Sequence, residues 1–292
     1  MSDRFVRIML ALRNKLAPIV PRRVVHGIGV LLGTLCYHLV SSRRRVAVEN
    51  LKDALNLTDA EAHQLTKKVF VHLGLMIVEV LFTPTISEEY LKRHIDVEGR
   101  EYLEQAKEMT PNGLILYSAH FGNFELLGGI VSAIGLPLHV ISREQDMATA
   151  QKLLEGFRHQ YGLALYPRGQ GWRAAYRGLK RGENLVLLGD QEAGSNGWFV
   201  DFFGRKASTF PGVVQIAQRT GAAILPVYMA RTGVGRHKVI FQPPVIIEAT
   251  ADQQELLSHL QQLTHSLEEV IRKYPDQWFW IHRRWKTKPN SK

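Results

Sequence analysis

The chain has 292 residues, of which 45% are hydrophobic, so it can bury one large core and is not an intrinsically disordered polymer. Its single cysteine, Cys36, excludes an internal disulfide, and its scattered histidines lack the spacing of a zinc site, so we predict no metal and no cofactor. The formal net charge of +10 predicts an anionic partner: a nucleic acid, an anionic bilayer, a phosphorylated substrate or an acidic carrier protein.

The amino-terminal part has the pattern of a membrane-associating segment. Residues 4–13 form a basic amphipathic stretch without a small-residue cleavage site, so a removable signal peptide is not expected. Residues 24–40 are mostly apolar and reach only the lower length limit for crossing a bilayer. Arginine clusters flank this stretch on both sides, which favours an interfacial or shallowly inserted helix over the alternative of a buried core helix. We therefore divide the chain into a membrane-anchoring segment, 1–45, and a main domain, 46–292.

A capping box at Thr58 and Glu61 predicts the start of a long helix that ends before Pro84 and is almost wholly apolar in its second half. Glu79 lies in this apolar half and requires a partner. From residue 94 onwards strand and helix patterns alternate, which predicts an α/β fold, a three-layer sandwich around a largely parallel mixed sheet. Strands are predicted at 94–98, 114–119, 138–142, 163–166, 185–189, 223–230 and 238–248.

The segment 118–125 combines a strand end, a tight turn and a helix start with two side chains that suit acid–base chemistry. His120 and Glu125 are five residues apart and cannot share a helix face, so the turn between them must fold back. Gly122 and Asn123 are residue types that tolerate positive φ there. The carboxylate of Glu125 can then accept the Nδ1 proton of His120, which leaves Nε2 to take a proton from a hydroxyl. The alternative is an ordinary packed or surface histidine.

The block from His120 to Glu125 resembles the His-x4-Asp/Glu block of the glycerolipid acyltransferase superfamily, and its HFGNFE form is similar to that of the lipid A biosynthesis (lauroyl/myristoyl) acyltransferases. The resemblance implies a glycerol-3-phosphate acyltransferase-like fold. It also implies that a fatty acyl group moves from an acyl-carrier-protein thioester to a hydroxyl of a lipid. His120 is then the expected general base and Glu125 its orienting partner, with backbone N–H groups of Gly122 and Asn123 as donors to the oxyanion.

Further blocks extend the resemblance along the chain. Arg143 follows the strand 138–142, like the arginine of the superfamily's second block, which binds phosphate; the alternative is a surface salt bridge with a neighbouring acid. Asp190 and Gln191 follow another strand, in a stretch similar to the family's third block, and either anchor the catalytic loop or bind sugar hydroxyls of the acceptor. The aromatic and basic loop 198–206 suits either an acyl channel or stacking on single-stranded nucleic acid.

The tail at 278–289 is similar to the family's closing segment. Its Arg283 and Arg284 are expected either to bind phosphates of the acceptor or to anchor the tail to the main fold. We count both among the predicted substrate-binding residues, together with Gly122, Asn123, Arg143, Asp190 and Gln191.

Together these blocks predict an acyltransferase that moves a fatty acyl chain from acyl-carrier protein to a hydroxyl of a lipid A precursor, at the cytoplasmic face of the inner membrane. The predicted partners are the carrier protein, the lipid acceptor and the anionic inner membrane, with no nucleic acid. A lysophospholipid or a glycosylated phospholipid, such as a mannosylated phosphoinositide, is the alternative acceptor. A basic membrane- or nucleic-acid-binding protein with a degenerate site is the alternative of another class.

Overall fold

The structure, a computed structural model, describes residues 13–17, 19–83, 86–141, 155–166 and 171–289. The predicted phosphate ligand Arg143 and most of the amphipathic stretch at 4–13 lie outside these ranges.

The amino-terminal part contains the helices α1 (Arg22–Leu39), α2 (Ser41–Leu55) and α3 (Asp59–Phe82). The predicted capping box begins α3: the hydroxyl of Thr58 accepts a hydrogen bond from the backbone N–H of Glu61, and the Glu61 carboxylate accepts one from the N–H of Thr58 at 2.8 Å. A bend of 94° separates α1 from α2. The apolar stretch predicted at 24–40 therefore lies almost entirely in α1, and the arginines at 43–45 lie near the start of α2.

Glycines allow α1 and α3 to pack with their backbones in close contact. A Cβ on Gly33 would lie 2.4 Å from the carbonyl oxygen of Phe70, and one on Gly74 would lie 2.3 Å from that of Gly29. Because no side chain separates the two helices at these positions, any larger residue there must push them apart.

The opposite face of α1 leaves large apolar side chains exposed. They recur at helical spacing and are Val24, Ile28, Leu31, Leu35 and Leu39. No single described helix is both long and apolar enough to span a bilayer, whereas α1 and α2 taken together reach that length and composition across their bend. The membrane association of residues 1–45 stays a prediction.

A mixed, mostly parallel sheet of seven strands forms the centre of the main domain. The strands of the chain are β1 (Ile95–Glu98), β2 (Ile115–Ser118), β3 (Leu138–Ile141), β4 (Ala164–Tyr166), β5 (Asn184–Leu188), β6 (Trp198–Phe202), β7 (Arg205–Thr209), β8 (Ile224–Gly233) and β9 (Arg236–Phe241). The remaining helices are α4 (Glu88–His94), α5 (Arg100–Glu108), α6 (Phe124–Ala133), α7 (Gly171–Lys180), α8 (Gly212–Thr220) and α9 (Gln253–Lys273), with short 3-10 turns at Gly194–Asn196 and Pro275–Gln277.

The strand order is β1-β9-β8-β2-β5-β3-β4, and of the adjacent pairs only β8 and β9 run antiparallel. One face of the sheet is covered by α5, α6 and the helical residues 155–160, the other by α7, α8 and α9. This arrangement confirms the predicted three-layer α/β fold. The carboxyl ends of β2, β3, β4, β5 and β8 all meet at one edge, which we call the carboxyl edge.

Two stretches differ from the predicted strands and loops. The strand predicted at 238–248 ends at Phe241, because Pro243 and Pro244 have no N–H to donate to a ladder. The loop predicted around 198–206 is instead the hairpin β6–β7, in which Phe203 and Gly204 both have positive φ, as a tight two-residue turn requires. Phe202, which belongs to this hairpin, is buried against the carboxyl-terminal tail.

Two alanine substitutions on α1 test the close packing of α1 on α3. Gly33→Ala should destabilise the fold by about 1–3 kcal/mol, because its methyl group meets backbone atoms of α3. Gly27→Ala is the matched control, since a Cβ there meets no atom within 4 Å, and should be neutral or stabilise the helix by up to about 1 kcal/mol. Thermal unfolding followed by circular dichroism measures both, and equal shifts in the two variants would contradict the described contact.

Candidate active site

The site begins with the pairing of β2 and β5, which are adjacent and parallel. Ser118 is in register with Leu188, and the N–H of Gly189 donates to the carbonyl of Ser118 at 3.0 Å. Two residues further along each strand come His120 and Asp190, so the register alone brings these two side chains opposite each other at the carboxyl edge.

Asp190 holds both the ring and the backbone of His120. Its Oδ1 accepts a hydrogen bond from Nδ1 of His120 at 2.8 Å, and its Oδ2 accepts one from the His120 backbone N–H at 3.0 Å. Oδ2 also accepts the indole N–H of Trp278 at 2.9 Å. The carboxylate is 4% exposed and Trp278 is 1% exposed, so this arrangement is closed to water on the Asp190 side.

The charge of Asp190 fixes the tautomer of His120. Burial would raise the pKa of Asp190, but the electrostatic interaction with His120 and the hydrogen bonds from His120 and Trp278 outweigh it, and the pKa is held below its ordinary value. An ionised carboxylate can only accept, so Nδ1 of His120 carries the proton and Nε2 presents a lone pair. The side-chain amide nitrogen of Gln191 lies 3.2 Å from Nε2 of His120 and can donate a hydrogen bond to it.

The role predicted for Glu125 is wrong in its geometry. The Glu125 carboxylate accepts two hydrogen bonds from Arg158, at 2.9 and 3.2 Å, and Nδ1 of His120 has a single proton, which goes to Asp190. Glu125 lies in the first turn of α6, where its side chain turns towards the helical residues 155–160. The orienting carboxylate of His120 comes from the neighbouring strand instead of the neighbouring turn.

Gly122 and Asn123 shape the turn that carries His120, and the N–H of Gly122 is not free to serve as the donor predicted for an oxyanion. Gly122 has φ +57, and a Cβ there would lie 1.5 Å from the carbonyl oxygen of Met229, so only glycine fits. Its N–H donates to the carbonyl of Gln277 at 2.8 Å and is therefore already engaged. The side chain of Asn123 is buried as the N-cap of α6, with Oδ1 accepting from the N–H of Leu126 at 3.3 Å.

A buried polar cluster lies beneath this turn and was only partly foreseen from the sequence. Glu79 on α3 accepts two hydrogen bonds from Arg231 on β8, at 2.7 and 2.8 Å, and one from Asn123 at 2.9 Å. His237 on β9 lies 3.2 Å from the same carboxylate. An acid inside an apolar helix signals the need for such a partner, but nothing in the sequence identifies Arg231 as that partner.

Salt-bridge formation keeps Glu79 ionised despite its burial. Burial would raise the pKa of Glu79, and the hydrogen bonds from Arg231 and His237 reverse the sign and lower it below its ordinary value. An unpaired charge at this depth would be strongly destabilising, so the pair is needed for the fold around the turn.

His72 connects this cluster to the turn. Its Nδ1 accepts a hydrogen bond from Arg231 at 2.6 Å, and its Nε2 then carries the proton that goes to the carbonyl of Gly122 at 3.1 Å. Burial and the Arg231 charge lower the pKa of His72 to about 3, so the ring is neutral at physiological pH. The neutral ring is the form that can accept from Arg231 and donate to Gly122 at the same time.

The carboxyl-terminal tail completes the site from the other side. Phe121 forms a bridge with Trp278, and the N–H of Phe279 donates to the carbonyl of His120 at 3.1 Å. The tail therefore pairs with the turn that carries His120, a contact that the sequence did not reveal although the tail is similar to the family's closing segment.

The predicted substrate-binding role of Arg284 is wrong, and the anchoring alternative is correct. Arg284 is buried and donates to the carbonyl of Ser208 and the hydroxyl of Thr209 on β7, with its guanidinium over the ring of Phe202. The sequence places Arg283 and Arg284 among the aromatic residues of the tail, but it does not tell which of the two is buried. Arg283 is exposed.

The structure thus brings together His120, Asp190 and Gln191, and it places Glu125, Gly122, Asn123 and Arg284 in supporting contacts around them. Among the described residues, no group of three or more histidine, cysteine, aspartate or glutamate side chains is arranged to hold a metal ion. The arrangement as it stands can take a proton from a hydroxyl at Nε2 of His120 and stabilise the resulting imidazolium through Asp190.

Comparison with known proteins indicates the class of reaction. Residues 5–287 match the family of bacterial lipid A biosynthesis acyltransferases. The chain belongs to this family. It is similar to the lipid A biosynthesis palmitoleoyltransferase of Escherichia coli K12, with 26% identity over 272 residues that cover 92% of this chain and 87% of that protein.

The chain is also similar to two further acyltransferases. The lipid A biosynthesis lauroyltransferase of Escherichia coli K12 is 23% identical over 275 residues, 93% of this chain and 88% of that protein. The phosphatidylinositol mannoside acyltransferase of Mycobacterium tuberculosis H37Rv is 25% identical over 214 residues, 71% of this chain and 66% of that protein. The predicted family is confirmed, and the chain is an acyltransferase of the lipid A biosynthesis family.

The neutral, buried His72 predicts acid sensitivity of the folded acyltransferase. Because its folded pKa is depressed to about 3, the unfolded chain binds a proton below about pH 6.5 that the folded chain does not, so stability is lost as the pH falls. Between pH 6.5 and 5, where carboxylates contribute little, His72 should add up to about 1.4 kcal/mol per pH unit to the slope of the free energy of unfolding.

The variant His72→Gln keeps one hydrogen-bond donor and one acceptor, in the form of an amide, but its side chain does not titrate. It should therefore reduce that slope. Denaturant unfolding at several pH values measures it. His94 and His282, whose pKa values burial also lowers, contribute to the slope in both proteins and serve as the internal background. An unchanged slope in the variant would contradict a neutral, buried His72.

Proposed function

We propose that this acyltransferase moves a fatty acyl chain from acyl-carrier protein to a hydroxyl of a lipid A precursor, with His120 as general base and Asp190 as its orienting carboxylate. The observation that carries this proposal is the His120–Asp190 pair at the carboxyl edge, where Nδ1 is tied to a buried carboxylate and Nε2 faces Gln191. Family membership supplies the reaction class.

In the proposed reaction Nε2 of His120 takes the hydroxyl proton as the acceptor oxygen attacks the carbonyl carbon of the donor thioester. The new C–O bond forms a tetrahedral oxyanion, and the C–S bond breaks when that oxyanion collapses. The imidazolium then returns its proton to the leaving sulfur, so the carrier leaves as a free thiol and His120 is regenerated. General base catalysis of this kind typically contributes about 10²–10⁴ in rate.

Gln191 is the donor that we assign to the developing oxyanion. Its amide nitrogen already lies 3.2 Å from Nε2 of His120, in the place that the reacting hydroxyl would take. A hydroxyl entering this place displaces the amide, whose N–H groups then lie next to the thioester carbonyl. The assignment replaces the N–H of Gly122, which is engaged by Gln277.

The membrane location is part of the proposal. The exposed apolar side chains of α1 from Val24 to Leu39, with the arginines at 43–45 just beyond, suit the surface of an anionic bilayer. We place this face on the cytoplasmic side of the inner membrane, where acyl-carrier protein and a lipid acceptor can meet. The free Cys36 fits a reducing compartment.

A second acceptor class has a specific observation in its favour. A phosphatidylinositol mannoside acyltransferase matches 71% of this chain at an identity similar to that of the lipid A enzymes. The His120–Asp190 chemistry is the same for any lipid hydroxyl, so the second candidate function is transfer to a glycosylated phospholipid.

His120→Ala should abolish acyl transfer, because the variant has no base at this position. Thermal unfolding should be nearly unchanged, because the His120 side chain is one-fifth exposed. Transfer of labelled fatty acid from acyl-carrier protein to lipid acceptor measures the first, and circular dichroism the second. Turnover like that of the wild-type protein would remove His120 from the mechanism.

Asp190→Asn and Glu125→Gln separate the two candidate orienting carboxylates. The first should lower kcat by about 10²–10⁴, because the imidazolium loses its counter-charge and the ring its fixed tautomer. The second keeps a side chain of the same shape next to Arg158 and should cost less. A larger loss in Glu125→Gln than in Asp190→Asn would show that the orienting carboxylate is Glu125 after all.

A panel of acceptors tests the substrate class. The wild-type protein, given one acyl-carrier-protein donor, should acylate a hydroxyacylated glucosamine disaccharide phosphate in preference to lysophosphatidic acid and phosphatidylinositol mannoside. Mass spectrometry of the lipid products identifies the acceptor. Product from the mannoside alone would favour the second candidate function.

A further inference from the structure

An aromatic and basic groove lies between α7 and α8, away from the catalytic residues. It encloses about 520 Å³, and its apolar wall is formed by Trp172, Tyr176 and Phe210. These rings are 40–42% exposed, and the rings of Trp172 and Phe210 lie 5.6 Å apart. Large aromatic side chains that cluster on a surface in this way mark a contact with another molecule.

The polar part of the groove is cationic. Arg173, Arg177 and Arg219 line it, and no acidic side chain is among the described residues of its wall. Arg173 and Arg177 are four residues apart and share one face of α7. Within the described ranges none of the three guanidinium groups has a hydrogen bond, an ion pair or a ring contact, so each is available to an outside carboxylate or phosphate.

The groove opens at the edge of the sheet that carries the catalytic residues. Helix α7 follows β4 and α8 precedes the parallel strand β8, so both helices begin at the carboxyl edge. Phe210 directly follows Thr209, which pairs with Glu192, two residues after Asp190. A molecule that fills the groove therefore has one end next to the His120 site.

The groove is formed by helices on one face of the sheet, whereas Val80 of α3 packs on the other face. Helix α1 packs on α3, and Val80 of α3 belongs to the core between the sheet and helices α5 and α6. Helices α7 and α8 cover the other face of the sheet. The wall of the groove thus contains no residue of α1 or α3, which favours a soluble occupant over a lipid headgroup.

We propose that this groove is the surface on which an acidic helix of the acyl-carrier protein docks to deliver its thioester to His120. The inference rests on the proposed donor and adds where that donor binds. An amphipathic helix with acidic side chains matches a groove that has an aromatic wall and three arginines without a partner among the described residues. The prosthetic arm of the carrier then extends over the carboxyl edge to the site.

The double variant Arg173→Glu, Arg177→Glu tests the proposal in the full-length protein in detergent micelles. With lauroyl-acyl-carrier protein as donor, KM should rise by about 10- to 100-fold because like charges now face each other. With lauroyl-pantetheine, which has the same thioester and arm but neither an acidic protein nor a phosphate, KM and kcat should stay as in the wild type. The control Arg100→Glu, Lys107→Glu on α5 makes the same change in net charge on the other face and should leave both donors unaffected.

Direct binding keeps the docking surface separate from the reaction. Fluorescence anisotropy of labelled acyl-carrier protein should show salt-sensitive binding to the wild-type protein and to the α5 variant, and weaker binding to the α7 variant. Equal binding to all three, or an equal loss of activity with both donors in the α7 variant, would overturn the proposal. Absence of transfer from either donor in the wild type would refute the proposed function, while the anisotropy result would still decide on the groove.

Vesicles of phosphatidylglycerol and phosphatidylethanolamine test the membrane as the competing occupant. The α7 variant should sediment with these vesicles as the wild type does. A loss of vesicle binding in that variant, with KM for the acyl-carrier-protein donor unchanged, would assign the groove to the bilayer and overturn the proposal.

Discussion

The hydrogen bond from Nδ1 of His120 to Asp190 is the interaction on which the site depends, and it follows from strand register. Each side chain comes two residues after a strand, and the strands are parallel neighbours. A shift of the register by one residue would turn one of the two side chains to the other face of the sheet. The packing of the β2–β5 pair, with Ile115 and Leu185 in its core, therefore sets the geometry of an acid–base pair outside it.

The turn that carries His120 is held by residues from three parts of the chain. The carbonyl of Met229 leaves room only for glycine at position 122, His72 binds the carbonyl of that glycine, and Gln277 binds its N–H. Beneath them the ion pair of Glu79 with Arg231 is buried, so its charges are paired with little competition from water. A turn held in this way has little freedom to move, which suits the general base that we propose, because that base must lie at a fixed distance from two substrates.

The sequence was sufficient for the fold and the family, because these follow from local patterns. Alternating strand and helix signals predicted the three-layer sandwich, and a histidine directly after a buried strand predicted His120. The partner of His120 was mistaken because Glu125 is near in sequence, whereas Asp190 is near only once two strands pair, and the pairing order of strands is not a local property. The same reason explains Arg231 and the inward turn of Arg284, since each meets its partner across more than seventy residues of chain.

Helix α3 has two faces with different duties. Gly74 lies against the backbone of α1, whereas His72 and Glu79, seven residues apart and on roughly the opposite face, hold the turn that carries His120. Helix α3 thus connects α1, which carries the exposed apolar side chains, to the carbonyl of Gly122. A tilt of α1 would be transmitted to α3 through glycine contacts that have no flexible side chain to absorb it, so a force on the exposed face of α1 would change the position of His120.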